Sequence, residues 1–258
     1  MSKYNQFSQS LFGTSPLFGK VGTFFLIVFV LLFFVVTQVA TLVMAAFLLM
    51  PAQMATDIDA TMAQVVNNGT AISVSSCLTF VVMYFLIATI VKLRKKAINQ
   101  YLPVVSFDLN IAIKAFALWV LFVVGNEFIT DLTNRNPMVF MDEIYATADP
   151  LWLLVLSLVI IVPIYEELIF RGVLWKATAE QFVNQKKGAI FASVLMALIF
   201  ALVHVQYDFF EMASIFILAL ILGYARYRSG SVLLPILMHV FNNGLALWQY
   251  SLTVGNLG

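Results

Sequence analysis

The chain has 258 residues, 62% of them hydrophobic and 10% charged, with a mean hydropathy of +0.97. That balance lies well outside the range of soluble globular domains and implies a polytopic membrane protein embedded in a lipid bilayer. A formal net charge of +1, with basic residues scattered at segment ends, leaves no reason to expect a nucleic-acid partner. The single cysteine, Cys77, excludes an internal disulfide. It lies in SVSSCLTFVVMYF without a nearby base, so it is expected to be a small buried hydrophobe.

Crossing a hydrocarbon core of about 30 Å takes about 20 helical residues. Seven stretches qualify, near 21–50, 70–91, 110–130, 150–175, 188–207, 209–227 and 231–250. They predict an all-α membrane domain of about seven transmembrane helices, preceded by a short amphiphilic lead at 1–20 on the cytoplasmic side. The first stretch is too long for a removed signal peptide and is read as a tilted or broken anchor. Orientation follows from where Lys and Arg fall. Lys3 and Lys20 precede the first span, Lys92, Arg94, Lys95 and Lys96 follow the second, Lys186 and Lys187 precede the fifth, and Arg226 and Arg228 follow the sixth. These ends are assigned to the cytoplasm. The opposite loops are acidic, with Arg135 the one basic exception. An odd number of spans places the C-terminus outside.

Residues 163–175 read PIYEELIFRGVLW, and three charges interrupt an apolar run there. Ionisable groups within a membrane helix are expensive and mark function by default. Glu167 and Arg171 are four residues apart, so they share a face and pair, whereas Glu166 is rotated by about 100° from Glu167. Arg171 therefore neutralises one carboxylate and leaves Glu166 in a low-dielectric setting suited to a general base. The plainer alternative is that both carboxylates cap charge at a membrane–water boundary, since Lys176 lies just beyond.

Only two histidines occur, and both fall in apolar segments, FALVH at 200–204 and HVFNN at 239–243. Each has an i,i+4 partner on its own face, Phe200 for His204 and Asn243 for His239. Buried polar groups on separate helices need partners, which favours their meeting in one polar intramembrane cavity. Glu166 can take a proton from water, and His204 can hold that water and return the proton to a leaving amine. His239 with Asn243 can donate hydrogen bonds to a developing oxyanion. Such a set hydrolyses an amide without a covalent enzyme intermediate. A serine nucleophile is the weaker reading, because Ser231 in RYRSGSVLLP is explained as a helix N-cap. Neither GxSxG nor HExxH occurs.

EELIFR fits an EExxxR motif, FALVH an FxxxH motif and HVFNN an HxxxN motif. This ordered set resembles the CPBP family, the CAAX-processing and bacteriocin-processing intramembrane endopeptidases, over residues 150–250. The resemblance implies a glutamic intramembrane protease, all helical, whose motif-bearing helices enclose a conical cavity. It implies Glu166 as the water-activating glutamate, His204 as its partner, His239 and Asn243 as the oxyanion pair, and Glu167, Arg171 and Phe200 as supporting residues. Residues 150–250 become the catalytic core and 21–130 accessory helices. No cofactor or metal is implied.

A bacterial plasma membrane is expected from the absence of any organelle signal, with membrane-associated peptides or proteins, rather than prenylated ones, as substrates. Three alternatives belong to other classes: a zinc protease ligated by Glu166, His204 and His239, a non-enzymatic immunity or scaffold protein, and a proton-coupled transporter. Ruler counting along the fourth and fifth spans separates Glu166 and His204 in depth by about 15 Å. A kink at Pro163 or a shifted span boundary must close that gap.

Overall fold

The computed structural model describes residues 15–135 and 141–255. Most of the 1–20 lead, Lys3 included, thus lies outside the described residues. All regular elements among the described residues are helical. They are α1 (Lys20–Leu49), α2 (Pro51–Thr56), α3 (Ile58–Val65), α4 (Gly69–Leu93), α5 (Ile98–Tyr101), α6 (Leu109–Leu132) and α7 (Met141–Ala146), followed by α8 (Leu151–Ala179), α9 (Gln185–Leu202), α10 (Phe209–Ser229) and α11 (Leu233–Gly255).

Six described helices, α1, α4, α6, α8, α9 and α10, are long and apolar enough to cross a membrane. The seventh expected stretch is helical as α11, but His239, Asn242, Asn243 and Gln249 set it apart from those six in composition. The 30-residue α1 is unbroken, so of the two readings of that stretch the broken one is corrected. Its Phe24, Phe25, Phe29 and Leu32 are exposed, an apolar surface of the kind lipid covers. Cys77 is half-buried rather than fully buried.

Local chemistry explains the ends. Asp208 starts α10 with a capping box, its side chain accepting from the Glu211 backbone N–H while the Glu211 carboxylate accepts from that of Asp208. Gly230 closes the same helix in the left-handed region at φ 67°. Because a new helix is nucleated at Asp208, α9 stops at Leu202, short of the predicted residue 207, and His204 lies on the intervening turn. Arg135, the basic residue on the acidic side, pairs with Asp208 and stacks on Phe210.

α8 is the unusual element. Its Leu156–Ile161 and Leu168–Leu174 stretches are π-helical, with the α-helical Val162–Glu167 between them. A π turn holds more residues than an α turn and shifts carbonyls off the regular ladder. Pro163 lies in the α-helical piece between the two.

The chain forms two compact units, each assembled from separated segments. The first takes in Met1–Ile27, Ile87–Pro137 and Glu166–His239. Its core packs Ala112 and Ala115 of α6 against Leu218, Leu222 and Ala225 of α10 and Leu234 and Met238 of α11. Small residues allow such close helix approach. Gly223 serves the same end, since a Cβ there would lie 2.9 Å from the Ser193 Cβ on α9. The second unit takes in Val28–Leu86, Met138–Tyr165 and Val240–Gly258. It packs Ala45, Ala46, Val65 and Ala71 together, and buries a hydroxyl cluster in which Thr41 Oγ1 lies 2.8 Å from Ser75 Oγ and 2.9 Å from Thr79 Oγ1.

Ser231 lies two residues before α11, one position earlier than a strict N-cap, yet its Oγ still accepts from the Leu233 N–H at 3.1 Å. The same buried hydroxyl accepts from the Val105 N–H at 3.2 Å and donates to the Val105 carbonyl at 2.6 Å, with the Pro103 carbonyl at 3.2 Å. Ser231→Ala removes the partner of these backbone groups and is expected to lower unfolding stability by about 1–3 kcal/mol. Turnover per folded molecule stays unchanged. A thermal unfolding series in detergent alongside a cleavage assay checks both halves, and loss of turnover in the folded variant would restore a serine route.

Candidate active site

The site is built around the second half of α8. Glu166, Glu167 and Arg171 are all buried, Glu167 completely. Arg171 Nη1 donates to Glu167 Oε1 at 2.9 Å, the pair that four-residue spacing predicts. Its Nη2 donates to the Ala219 carbonyl of α10 at 3.2 Å, and its guanidinium lies 4.7 Å from the centroid of the Phe200 ring. Cation–π contact and two hydrogen bonds together hold a charge that would otherwise be costly to bury.

The Glu167 carboxylate also reaches α11. His239 Nδ1 lies 2.9 Å from the same Oε1. A carboxylate paired with arginine accepts only, so Nδ1 carries the proton and donates. This fixes the ring and leaves Nε2 as the nitrogen available for chemistry. That nitrogen lies 3.8 Å from Glu166 Oε2, beyond direct hydrogen-bond range. The two glutamates are therefore differentiated: Glu167 is committed to Arg171 and His239, while Glu166 presents an oxygen to the free face of the imidazole.

His204 lies half-exposed on the turn after α9. Its Nδ1 donates to the Phe200 carbonyl at 2.6 Å, again leaving Nε2 free. The ring packs 4.7 Å from Phe200 and stacks on Tyr207 at 5.9 Å. Phe200 thus joins Arg171, His204 and, at 6.0 Å, His239. Ionisable groups close enough to act electrostatically on Glu166 include His239, His204, Glu167, Arg171 and Tyr207. The separation that ruler counting gives for Glu166 and His204 is not what the fold does. The counted boundaries differ from the observed ones, since α8 runs on to Ala179 and α9 spans Gln185–Leu202.

Asn243 belongs to the second compact unit, whereas the other six residues singled out belong to the first. Its Nδ2 donates at 3.0 Å to the Leu158 carbonyl, inside the first π-helical stretch of α8. One amide N–H remains for another partner. Among the described residues no group of three or more His, Cys, Asp or Glu side chains is placed to hold a metal ion, so Glu166, His204 and His239 do not assemble the ligand set of the zinc alternative.

Two residues near the site escape the sequence reading. Arg226, taken as a marker of a cytoplasmic helix end, is completely buried and donates from Nε to the Arg171 carbonyl at 2.7 Å. Lys176, taken as a boundary charge, is buried with its Nζ 3.8 Å from Glu180. A signal for the first was available. Arg226 and Arg228 are two residues apart on one helix and cannot share a face.

Fold and cluster together define an all-helical, polytopic membrane protein with an Arg–Glu–His constellation buried among its helices. Residues 148–245 match the family model described as type II CAAX prenyl endopeptidase Rce1-like. That match takes in the same part of the chain as the EExxxR, FxxxH and HxxxN motifs, and the matched family is similar to the one they resemble. The chain is also similar to the "Uncharacterized 24.3 kDa protein" of Escherichia coli, with 32% identity over 112 residues, 42% of this chain and 50% of that protein. The match spans about half the length of that relative. No solved structure matches the chain.

Proposed function

We propose that the protein is an intramembrane endopeptidase that hydrolyses a peptide bond of a membrane-associated peptide or protein with water activated at Glu166. The observation that carries this reading is the unequal commitment of the two adjacent carboxylates. Arg171 and His239 both engage Glu167, and Glu166 is left opposite His239 Nε2 at 3.8 Å. A general base needs an uncommitted lone pair facing the reacting water, and the position of Glu166 opposite His239 Nε2 supports that role.

In the proposed reaction the Glu166 carboxylate takes a proton from water as the water oxygen attacks the scissile carbonyl carbon. His204 orients that water through Nε2, takes the proton on from Glu166 and passes it to the departing amine as the C–N bond breaks. His239, held by Glu167 through Nδ1, turns Nε2 toward the oxyanion. Asn243, assigned from the HxxxN motif, supplies the second donor through its remaining amide N–H. On this reading residues 150–250 form the catalytic core and 21–130 accessory helices. The site of action is a bacterial plasma membrane.

The test is a cleavage assay with purified full-length protein in bilayers, on membrane-anchored peptides with and without a prenyl group, with and without a chelator, and with products mapped by mass spectrometry. Asn243→Ala is expected to lose roughly 10²–10³ in turnover through one missing oxyanion donor. Chelator-sensitive cleavage, or an Asn243→Ala variant as active as the parent, would overturn the mechanism.

A further inference from the structure

We propose that Arg226, outside all three sequence motifs, is a positioning residue for the active site, acting through the backbone of Arg171; this rests on the glutamate mechanism above.

Arg226 is completely buried near the C-terminal end of α10. Its Nε donates at 2.7 Å to the carbonyl of Arg171, which lies in the middle of the π-helical Leu168–Leu174 stretch. Its guanidinium stacks 4.8 Å from the Trp175 ring, and Trp175 Nε1 in turn donates to Ser193 Oγ of α9 at 2.9 Å. Nη1 and Nη2 of Arg226 make no hydrogen bond among the described residues. The polar work of this side chain is therefore a single N–H, aimed at one backbone carbonyl of the element that bears both glutamates.

That carbonyl is a sensitive place to act. Carbonyls in a π stretch are displaced from the regular ladder and take partners from outside the helix. The residue that Arg226 grips is the same one whose side chain holds Glu167, and Glu167 fixes His239. The sequence of contacts from Arg226 Nε to Arg171, Glu167 and His239 ends at the nitrogen facing Glu166. Burying a guanidinium without an ion-pair partner is unfavourable, and apolar replacements at such sites are often neutral or stabilising. A contribution to the placement of the reacting groups accounts for a charge that the fold alone does not require.

Side-chain length supplies the test. The amide nitrogen of glutamine stands as many bonds from Cα as Nε of arginine, whereas methionine and lysine carry carbon there. Arg226→Met is expected to lower kcat by on the order of 10- to 10²-fold, as misplacement of reacting groups does, with KM unchanged. Arg226→Gln restores most of that loss although it removes the charge. Should Arg226→Met not fold, Arg226→Lys serves instead, keeping charge and lacking the N–H at that position, with the same expected loss. Parental kcat in the Met or Lys variant, or equal losses in Gln and Met, would overturn the positioning role. The control is Glu166→Gln in the same assay. If that variant is inactive while Arg226→Met is not, only the positioning inference fails; if Glu166→Gln is fully active, the glutamate mechanism itself fails.

Discussion

Replacing Glu166 with glutamine is expected to lower the rate of peptide hydrolysis by about 10²-fold or more, since general-base catalysis contributes typically 10²–10⁴. Glutamine keeps the volume and one accepting oxygen, replaces the other with an NH2 donor, and cannot take a proton. Arg171 and His239 are anchored to Glu167, so the Glu167 cluster has no reason to rearrange. Substrate affinity should hardly change, because the lost interaction is made in the transition state. Single-turnover rates at saturating substrate, set beside substrate binding, test both statements. Equal losses from Glu166→Gln and Glu167→Gln in kcat alone would mean that the two carboxylates are not differentiated as the contacts indicate.

The largest expected effect on stability comes from Arg171→Leu. That change leaves the fully buried Glu167 carboxylate without its guanidinium and removes the bond to the Ala219 carbonyl and the stack on Phe200. Breaking a buried pair from one side costs about 3–5 kcal/mol, whereas removing both partners costs much less. Equilibrium unfolding in mixed micelles should therefore show Arg171→Leu well below the Arg171→Leu/Glu167→Leu double variant. A double variant no more stable than the single one would indicate that Arg171 acts by packing rather than by charge.

Local spacing was legible in the sequence, and long-range contact was not. The all-helical membrane class, most span boundaries, the Glu167–Arg171 pair and the Phe200–His204 pair all follow from the composition or from i,i+4 geometry. The Glu167–His239 bond joins residues 72 positions apart, and no periodicity encodes which of two adjacent glutamates an incoming histidine meets. The two π-helical stretches of α8, LSLVII and LIFRGVL, leave no pattern in the sequence, since largely apolar runs look alike in any register. The end of α9 was readable, because Asp208 and Glu211 form a capping-box pattern that requires the preceding helix to have ended. The burial of Arg226 was not legible, because a charge count at helix ends ignores which way each side chain points.

The bonds from Ser231 to Pro103 and Val105 bear on the order in which the chain matures. They join residues 126 and 128 positions apart, so the segment leading into α6 has no seat until the start of α11 has been synthesised. Contacts that close such long loops form late and slowly. A nascent chain halted before residue 231 would lack these bonds and hold that segment unfastened. On the proposed mechanism, the catalytic set is completed last, when the helix that bears His239 is in place.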